Sequence, residues 1–289
     1  MKPASFAYQR PRSRDEAVAL LGAHGDDAAI LAGGQSLVPM LNLRLATPEL
    51  VIDINRVAGF DRLTETAGGL EIGPCVRHAD LLRHTAGRPH WRLIAEAIRH
   101  VAHPGIRNRG TFCGSLALAD PAAEAPAVAV AMDAEITLAG ATGERRVPAA
   151  DFFNGIYETA RRPDELVTGV HFPKPPADWH FVFQEVARRQ GDYAMAGLCA
   201  AFRVAGGSVL ESRLVLFGVA DRPRRVTAAE SCLIGQPLAD ETVQRNAATA
   251  AEEIETMATA DCSADYKRHL AGALVTQAMT ALARQVVAT

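Results

Sequence analysis

Apolar residues recur along this chain in two rhythms, and glycines punctuate the changes between them. Behind "SRDE", where Ser13 and Glu16 stand at the capping-box separation, Ala17, Val18, Leu20 and Leu21 fall at helical spacing. The spacing predicts a helix that ends at Gly22 or Gly25. It feeds "DAAILAGG", a short apolar strand that stops at Gly33 and Gly34. "PELVIDI" follows, and its Val and Ile content predicts a second strand over 50–54. Residues 1 to about 56 therefore read as a small α/β unit with a glycine turn at a strand end.

A second α/β unit is placed over 57–176. "GGLEIGPCVRHADLL" predicts a strand, a Gly-Pro break and a helix, and Trp91 to Val101 repeats apolar residues at helical spacing. An irregular stretch from His103 to Pro121 precedes "EAPAVAVAMDA", which reads as a buried helix. "AEITLAGATGERRVP" predicts a hairpin with Gly140 and Gly143 in its turn. At "KPPADW", Pro175 and Pro176 with the preceding Pro173 stiffen the chain and mark a boundary, so 177–289 forms a third segment. There Gly206 and Gly207 turn between two apolar strands, two or three helices follow, and Ser263 is placed to cap the last.

Composition narrows the function classes. The 289 residues are 48% hydrophobic, ample for real cores, and a net charge of -3 supplies no global field for nucleic acid. "APAVAVAM" lies between Glu124 and Asp133 and is far too short for a membrane span. Polar residues stand where a signal peptide would place its apolar core, so a cytoplasmic location is expected. Five scattered cysteines contain no CxxC pair, which places any metal centre on another chain.

The chemistry gathers in two stretches. "LAGGQSLVP" and "IRNRGTFCGSLALADP" each set glycine and small hydroxyl residues beside an apolar segment. Such loops present backbone N–H groups and a hydroxyl to a diphosphate without bulky side chains in the way. GxGxxG, GxxxxGK, HExxH and GxSxG are all absent, which removes the simplest support for a Rossmann domain, a P-loop, a zincin or a serine hydrolase.

With "FQEVARRQGDYAMAGL" and "SADYKRHLAG", the two loops complete four motifs in order across nearly the whole chain. Together they resemble the FAD-binding medium subunit of bacterial molybdenum hydroxylases, the family of aerobic carbon monoxide dehydrogenase and xanthine dehydrogenase. The resemblance implies an α+β fold: two α/β FAD-binding subdomains of the vanillyl-alcohol oxidase, PCMH type, then a C-terminal small antiparallel sheet with helices. It implies an electron-transfer role in a three-subunit enzyme, as a dimer of heterotrimers. A large subunit would hold molybdopterin and substrate, a small subunit two iron-sulfur clusters, and this chain non-covalent FAD.

By the same resemblance, Ala32, Gly33, Gly34, Gln35 and Ser36 form a first phosphate loop whose missing side chains make room for the diphosphate. Thr111, Phe112, Cys113, Gly114 and Ser115 form a second. Asp120 and Glu124 suit phosphate poorly, but a carboxylate accepts hydrogen bonds from ribityl hydroxyls or a flavin N–H, and Glu124 is favoured for that role. Tyr193 is placed near the isoalloxazine ring. Many relatives carry glycine where Cys113 stands; backbone donation survives if Cys113 needs no positive φ, and its thiol is read as inert packing. Arg107, Arg109, Arg188 and Arg189 are read as residues of surface or inter-subunit ion pairs rather than FAD contacts, and His103 as a turn histidine. No general acid, base or nucleophile for substrate chemistry is expected on this chain. A stand-alone FAD-dependent oxidase of the same fold, and an assembly protein that has lost FAD, are the alternatives.

Overall fold

A computed structural model describes residues 2–287. The first segment comprises β1 (Ala7–Gln9), α1 (Arg14–His24), β2 (Ala28–Leu31), α2 (Leu37–Leu43) and β3 (Leu50–Asp53). Both β1 and β2 pair in parallel with β3, giving the order β1-β3-β2. Ser13 caps α1 by accepting the Glu16 N–H at 3.2 Å, while the Glu16 carboxylate accepts the Arg12 N–H at 2.8 Å. The helix ends at Gly25, whose φ of 51° takes the left-handed turn; Gly22 lies inside it. Ala17, Val18 and Leu21 bury a small core with Leu50, Ile52 and Ile54. The exposed edge strand β1 has no apolar alternation, so the sequence pattern does not reveal it.

The second segment runs through β4 (Leu63–Glu65), β5 (Gly69–Ile72), α3 (His78–Thr85), α4 (Arg92–His100), α5 (Pro104–Arg107), α6 (Phe112–Leu118) and α7 (Glu124–Ala131). It continues with β6 (Glu135–Gly140), β7 (Gly143–Pro148), α8 (Ala149–Phe152), β8 (Phe153–Gly155), β9 (Glu158–Thr159) and β10 (Leu166–Pro173). Its sheet is antiparallel in the order β4-β5-β10-β6-β7, with the returning strand β10 inserted between earlier ones. Helix α7 is buried on every side, as its run of Ala and Val requires.

Past the prolines come β11 (Trp179–Val186), β12 (Ala196–Ala205), β13 (Ser208–Phe217), β14 (Arg224–Arg225), α9 (Thr227–Leu233), α10 (Asp240–Glu253) and α11 (Ala264–Val287). The four strands form an antiparallel sheet in chain order. Faces alternate along it, with a register shift at Arg203/Val204 near the hairpin end, where Val209 joins the helix-side core. Phe181, Phe183, Cys199, Ala201, Val215 and Phe217 face a core shared with α4 and α7, while Val182, Leu198, Ala200, Phe202, Leu214 and Leu216 face the helices α9 to α11. Ser263 caps α11 by accepting the Tyr266 N–H at 3.2 Å.

Candidate functional site

The two glycine loops, far apart in sequence, meet backbone to backbone. A Cβ added at Gly33 would lie 2.6 Å from the Arg109 carbonyl oxygen, 2.7 Å from Gly110 Cα and 3.0 Å from the Thr111 nitrogen. The side chain missing at Gly33 therefore makes room for the second loop, a neighbour that the sequence reading did not anticipate. Gly34 is needed for conformation: its φ of 72° lies in the left-handed region. The backbone N–H groups of Gly34, Gln35 and Ser36 find no acceptor among the described residues, and all three residues are partly exposed. Partly exposed, unpaired amides in a turn are what an anionic ligand requires.

In the second loop, Thr111 caps α6, its Oγ1 accepting the Gly114 N–H at 3.1 Å. The Thr111 backbone bridges to Arg77, with His78 N–H on Gly110 O at 3.0 Å and Phe112 N–H on Val76 O at 3.3 Å. Phe112 does not reach the loop surface: its ring is buried edge-on between His78 and Phe172. Cys113 is buried with its thiol toward the carbonyls of Ile72 and Gly73, and burial pushes that thiol far above its ordinary pKa. It has no positive φ, so the backbone condition on this residue is met, and its buried thiol packs in the core. Gly114 and Ser115 remain partly exposed, as does Ala32.

Beneath these loops lies His78, buried, with Nδ1 unpartnered. Burial, helped by Arg107, lowers its pKa to about 4, so the ring is neutral at physiological pH. Arg107 forms no ion pair among the described residues and instead donates to the carbonyls of Arg99, Val101 and Ala102. Arg188 does pair, with Asp261 at 3.5 Å. His103 is an exposed residue capping α5, against which Gly191 of the "RQGDYAMAG" loop packs.

A second cluster gathers acids and tyrosines. Asp120 accepts the Ala122 N–H at 2.9 Å and the Tyr157 hydroxyl at 3.3 Å. Glu124, only 8% exposed, has its pKa pushed up to about 8 by burial first, then by the charges of Glu185 and Asp120. It is largely protonated at neutral pH and so can donate as well as accept, where the sequence reading expected acceptance alone. Glu185 is raised to about 7 by burial, and its Oε2 has no partner among the described residues. Tyr193 is 66% exposed, with its hydroxyl pKa raised by burial of the group and by the charges of Asp120 and Glu124. Tyr157, also exposed, is held at a φ of 56° beside Asp120. Neither Tyr157 nor Glu185 was singled out in the sequence, because each gains its setting from contacts between distant segments.

Gly218 ties this cluster together. Its N–H donates to Pro121 O at 2.8 Å, its carbonyl accepts the buried Lys267 ammonium at 2.7 Å, and a Cβ there would strike Ala194 O at 2.8 Å. Among the described residues no helix is long and apolar enough to cross a membrane, and no group of three or more His, Cys, Asp or Glu is placed to hold a metal ion.

The architecture and its glycine loops define a flavoprotein of the FAD-binding PCMH type with a C-terminal sheet-and-helix segment. More particularly, the chain belongs to the family of the FAD binding domain in molybdopterin dehydrogenase, matched over residues 4–175, and residues 181–282 match the CO dehydrogenase flavoprotein C-terminal domain. It is 37% identical to the carbon monoxide dehydrogenase medium chain of Hydrogenophaga pseudoflava, over 97% of this chain and 98% of that one. Identity to the nicotine 6-hydroxylase medium subunit of Paenarthrobacter nicotinovorans is 36%, covering 95% and 96%. Quinoline 2-oxidoreductase from Pseudomonas putida 86 contains a chain of the same fold, with a TM-score of 0.93, 33% identity and 99% of both chains covered.

Proposed function

We propose that this chain is the FAD-carrying electron-transfer subunit of a heterotrimeric molybdenum hydroxylase, receiving electrons from the iron-sulfur clusters of a small subunit and delivering them to an external acceptor. A large subunit would hold molybdopterin and oxidise the substrate. The observation that carries the reading is the meeting of two glycine loops whose amides are left unpaired at a partly exposed surface. Full-length similarity to chains named as medium subunits supports it.

Bound FAD would supply a centre that accepts electrons singly and releases them singly or in pairs. The chain's own residues would hold it. Amides of Gly34, Gln35 and Ser36, with the Ser36 and Ser115 hydroxyls, would take the diphosphate, while Ala32, Thr111, Cys113 and Gly114 shape the cradle through backbone. Phe112 would contribute from the core, by fixing the second loop. Asp120 and Glu124 would meet the ribityl or ring edge, with neutral Glu124 able to keep a proton there. Tyr193 would cover the ring face. The relatives are named for carbon monoxide and nicotine at nearly equal identity, so substrate choice would reside on the large subunit. A cytoplasmic dimer of heterotrimers is the assembly we favour; the free thiols suit a reducing compartment.

The test is a visible absorption spectrum, oxidised and then reduced, on tagged protein purified gently from its native host. Flavin bands over bleaching iron-sulfur absorption, with one large and one small companion chain, are expected. Flavin in a lone chain that turns over substrate would overturn the relay.

A further inference from the structure

Between the glycine loops lies a pair of side chains that the function above does not use. Asn55 Nδ2 donates to Ala32 O at 2.8 Å and Leu31 O at 3.3 Å, where the first loop begins. Its Oδ1 accepts Arg77 Nη2 at 2.5 Å, and Arg77 Nη1 donates to Arg109 O at 2.6 Å, in the second loop. That Arg109 carbonyl is the atom Gly33 rests against. The two side chains thus span the same gap that the glycine contact closes.

Asparagine suits this position because one amide both donates and accepts: Nδ2 reaches the first loop while Oδ1 receives the guanidinium. Arginine suits the other because its planar fork reaches two acceptors at once, a geometry lysine lacks. Asn55 is itself fixed from behind. Asp53 accepts its backbone N–H at 2.9 Å and its Nδ2 at 2.6 Å, and also receives the Tyr8 hydroxyl and, at 3.4 Å, Arg10. Burial works against ionisation of Asp53, but the bonds from Tyr8 and Asn55 outweigh it and hold its carboxyl below the usual range. The brace therefore runs from β1 through the end of β3 to both loops.

We propose that Asn55 and Arg77 are positioning residues that set the spacing of the two glycine loops before the cofactor enters, so that the cradle is formed in advance. The inference rests on the reading of those loops as the FAD site. A cradle already formed loses less conformational freedom on binding, so the brace strengthens affinity without touching the ligand.

The experiment uses the full chain freed of flavin, as wild type, Asn55→Ala, Arg77→Ala, the double variant, and Arg77→Lys, which keeps charge and stem but lacks the fork. FAD affinity is read by quenching of flavin fluorescence, and loop order by hydrogen exchange at residues 33–36 and 109–113 without FAD. In each single alanine variant, exchange should rise in both loops and FAD affinity should fall roughly tenfold. The double variant should lose little more than the worse single one, because the two side chains act as one brace. Arg77→Lys, the variant least apt to unfold, should lose affinity in the same direction. Wild-type exchange and affinity in the variants, or losses that simply add, would overturn the brace while leaving the cradle reading intact. A wild-type chain that takes up no FAD would overturn the cradle reading and this inference with it.

Discussion

Replacing Gly33 with alanine drives a methyl group into the backbone of the second loop. Its Cβ would stand 2.6 Å from Arg109 O and 2.7 Å from Gly110 Cα, against the 3.4 Å at which ordinary contact begins, so the loops must part by about 0.7 to 0.8 Å. They cannot part freely. The second loop is bonded to residues 76–78 through the Val76 carbonyl and the His78 N–H, and Arg77 and Asn55 bind its Arg109 carbonyl to the first loop. Forcing a methyl into such a packed contact costs about 1–3 kcal/mol. If that strain is relieved when the cradle opens, FAD affinity falls by roughly 5- to 150-fold. Gly34→Ala is the comparison: its Cβ meets only the side-chain tips of Leu31 and Val38, at 3.0 and 3.2 Å, but its φ of 72° adds about 1–2 kcal/mol of backbone strain. Urea denaturation and FAD titration measure both variants. A Gly33→Ala protein with wild-type stability and FAD affinity within twofold would refute the contact as drawn.

Other consequences can be checked separately. The Glu124 carboxyl is held protonated up to about 8 in the fold against an ordinary 4.5, so the folded chain binds an extra proton between those values and stability falls as pH rises through that window. Glu124→Gln should flatten that decline by up to about 1.4 kcal/mol per pH unit, in urea titrations from pH 5 to pH 8, and an unchanged slope would count against the burial argument. Tyr193→Ala should leave stability within about 0.5 kcal/mol, since the side chain is largely exposed, yet shift the absorption bands of bound flavin. A thiol reagent at pH 8 should label Cys232 alone in the folded chain, because the other four cysteines are buried; rapid labelling that survives Cys232→Ser would contradict that burial.

What could be read from the sequence was local. The Ser13 and Ser263 caps, the Gly206-Gly207 hairpin turn and the buried α7 each depend on neighbours a few positions away, and each is present. The helix and strand pattern and four ordered motifs sufficed for the family. Geometry between segments was not legible. Nothing in "LAGGQS" tells that Gly33 leans on Arg109, or in "VIDINR" that Asn55 reaches both loops. Arg107 read as a surface or inter-subunit ion-pairing residue because charge suggests a partner of opposite sign; within the chain the fold gives it three carbonyls near the end of α4, which its own segment did not announce. Glu124 read as an ionised acceptor because its protonation is set first by burial in a packed core and then by the charge of Glu185, neither of which is visible in its own segment.

The C-terminal sheet has no solvent face. Away from the hairpin end at residues 204–210, odd-numbered apolar residues of β11 to β13 fill one core and even-numbered ones fill another, so each strand answers to two sets of neighbours. The consequence is one of inheritance. A segment built in this way cannot be traded between chains as a free cassette, because half of its side chains are fitted to α4 and α7 on the far side of the prolines. Where lineages of this family diverge, the two sides of the linker are expected to drift in step, each inward change on the sheet answered by a change in a helix that precedes it.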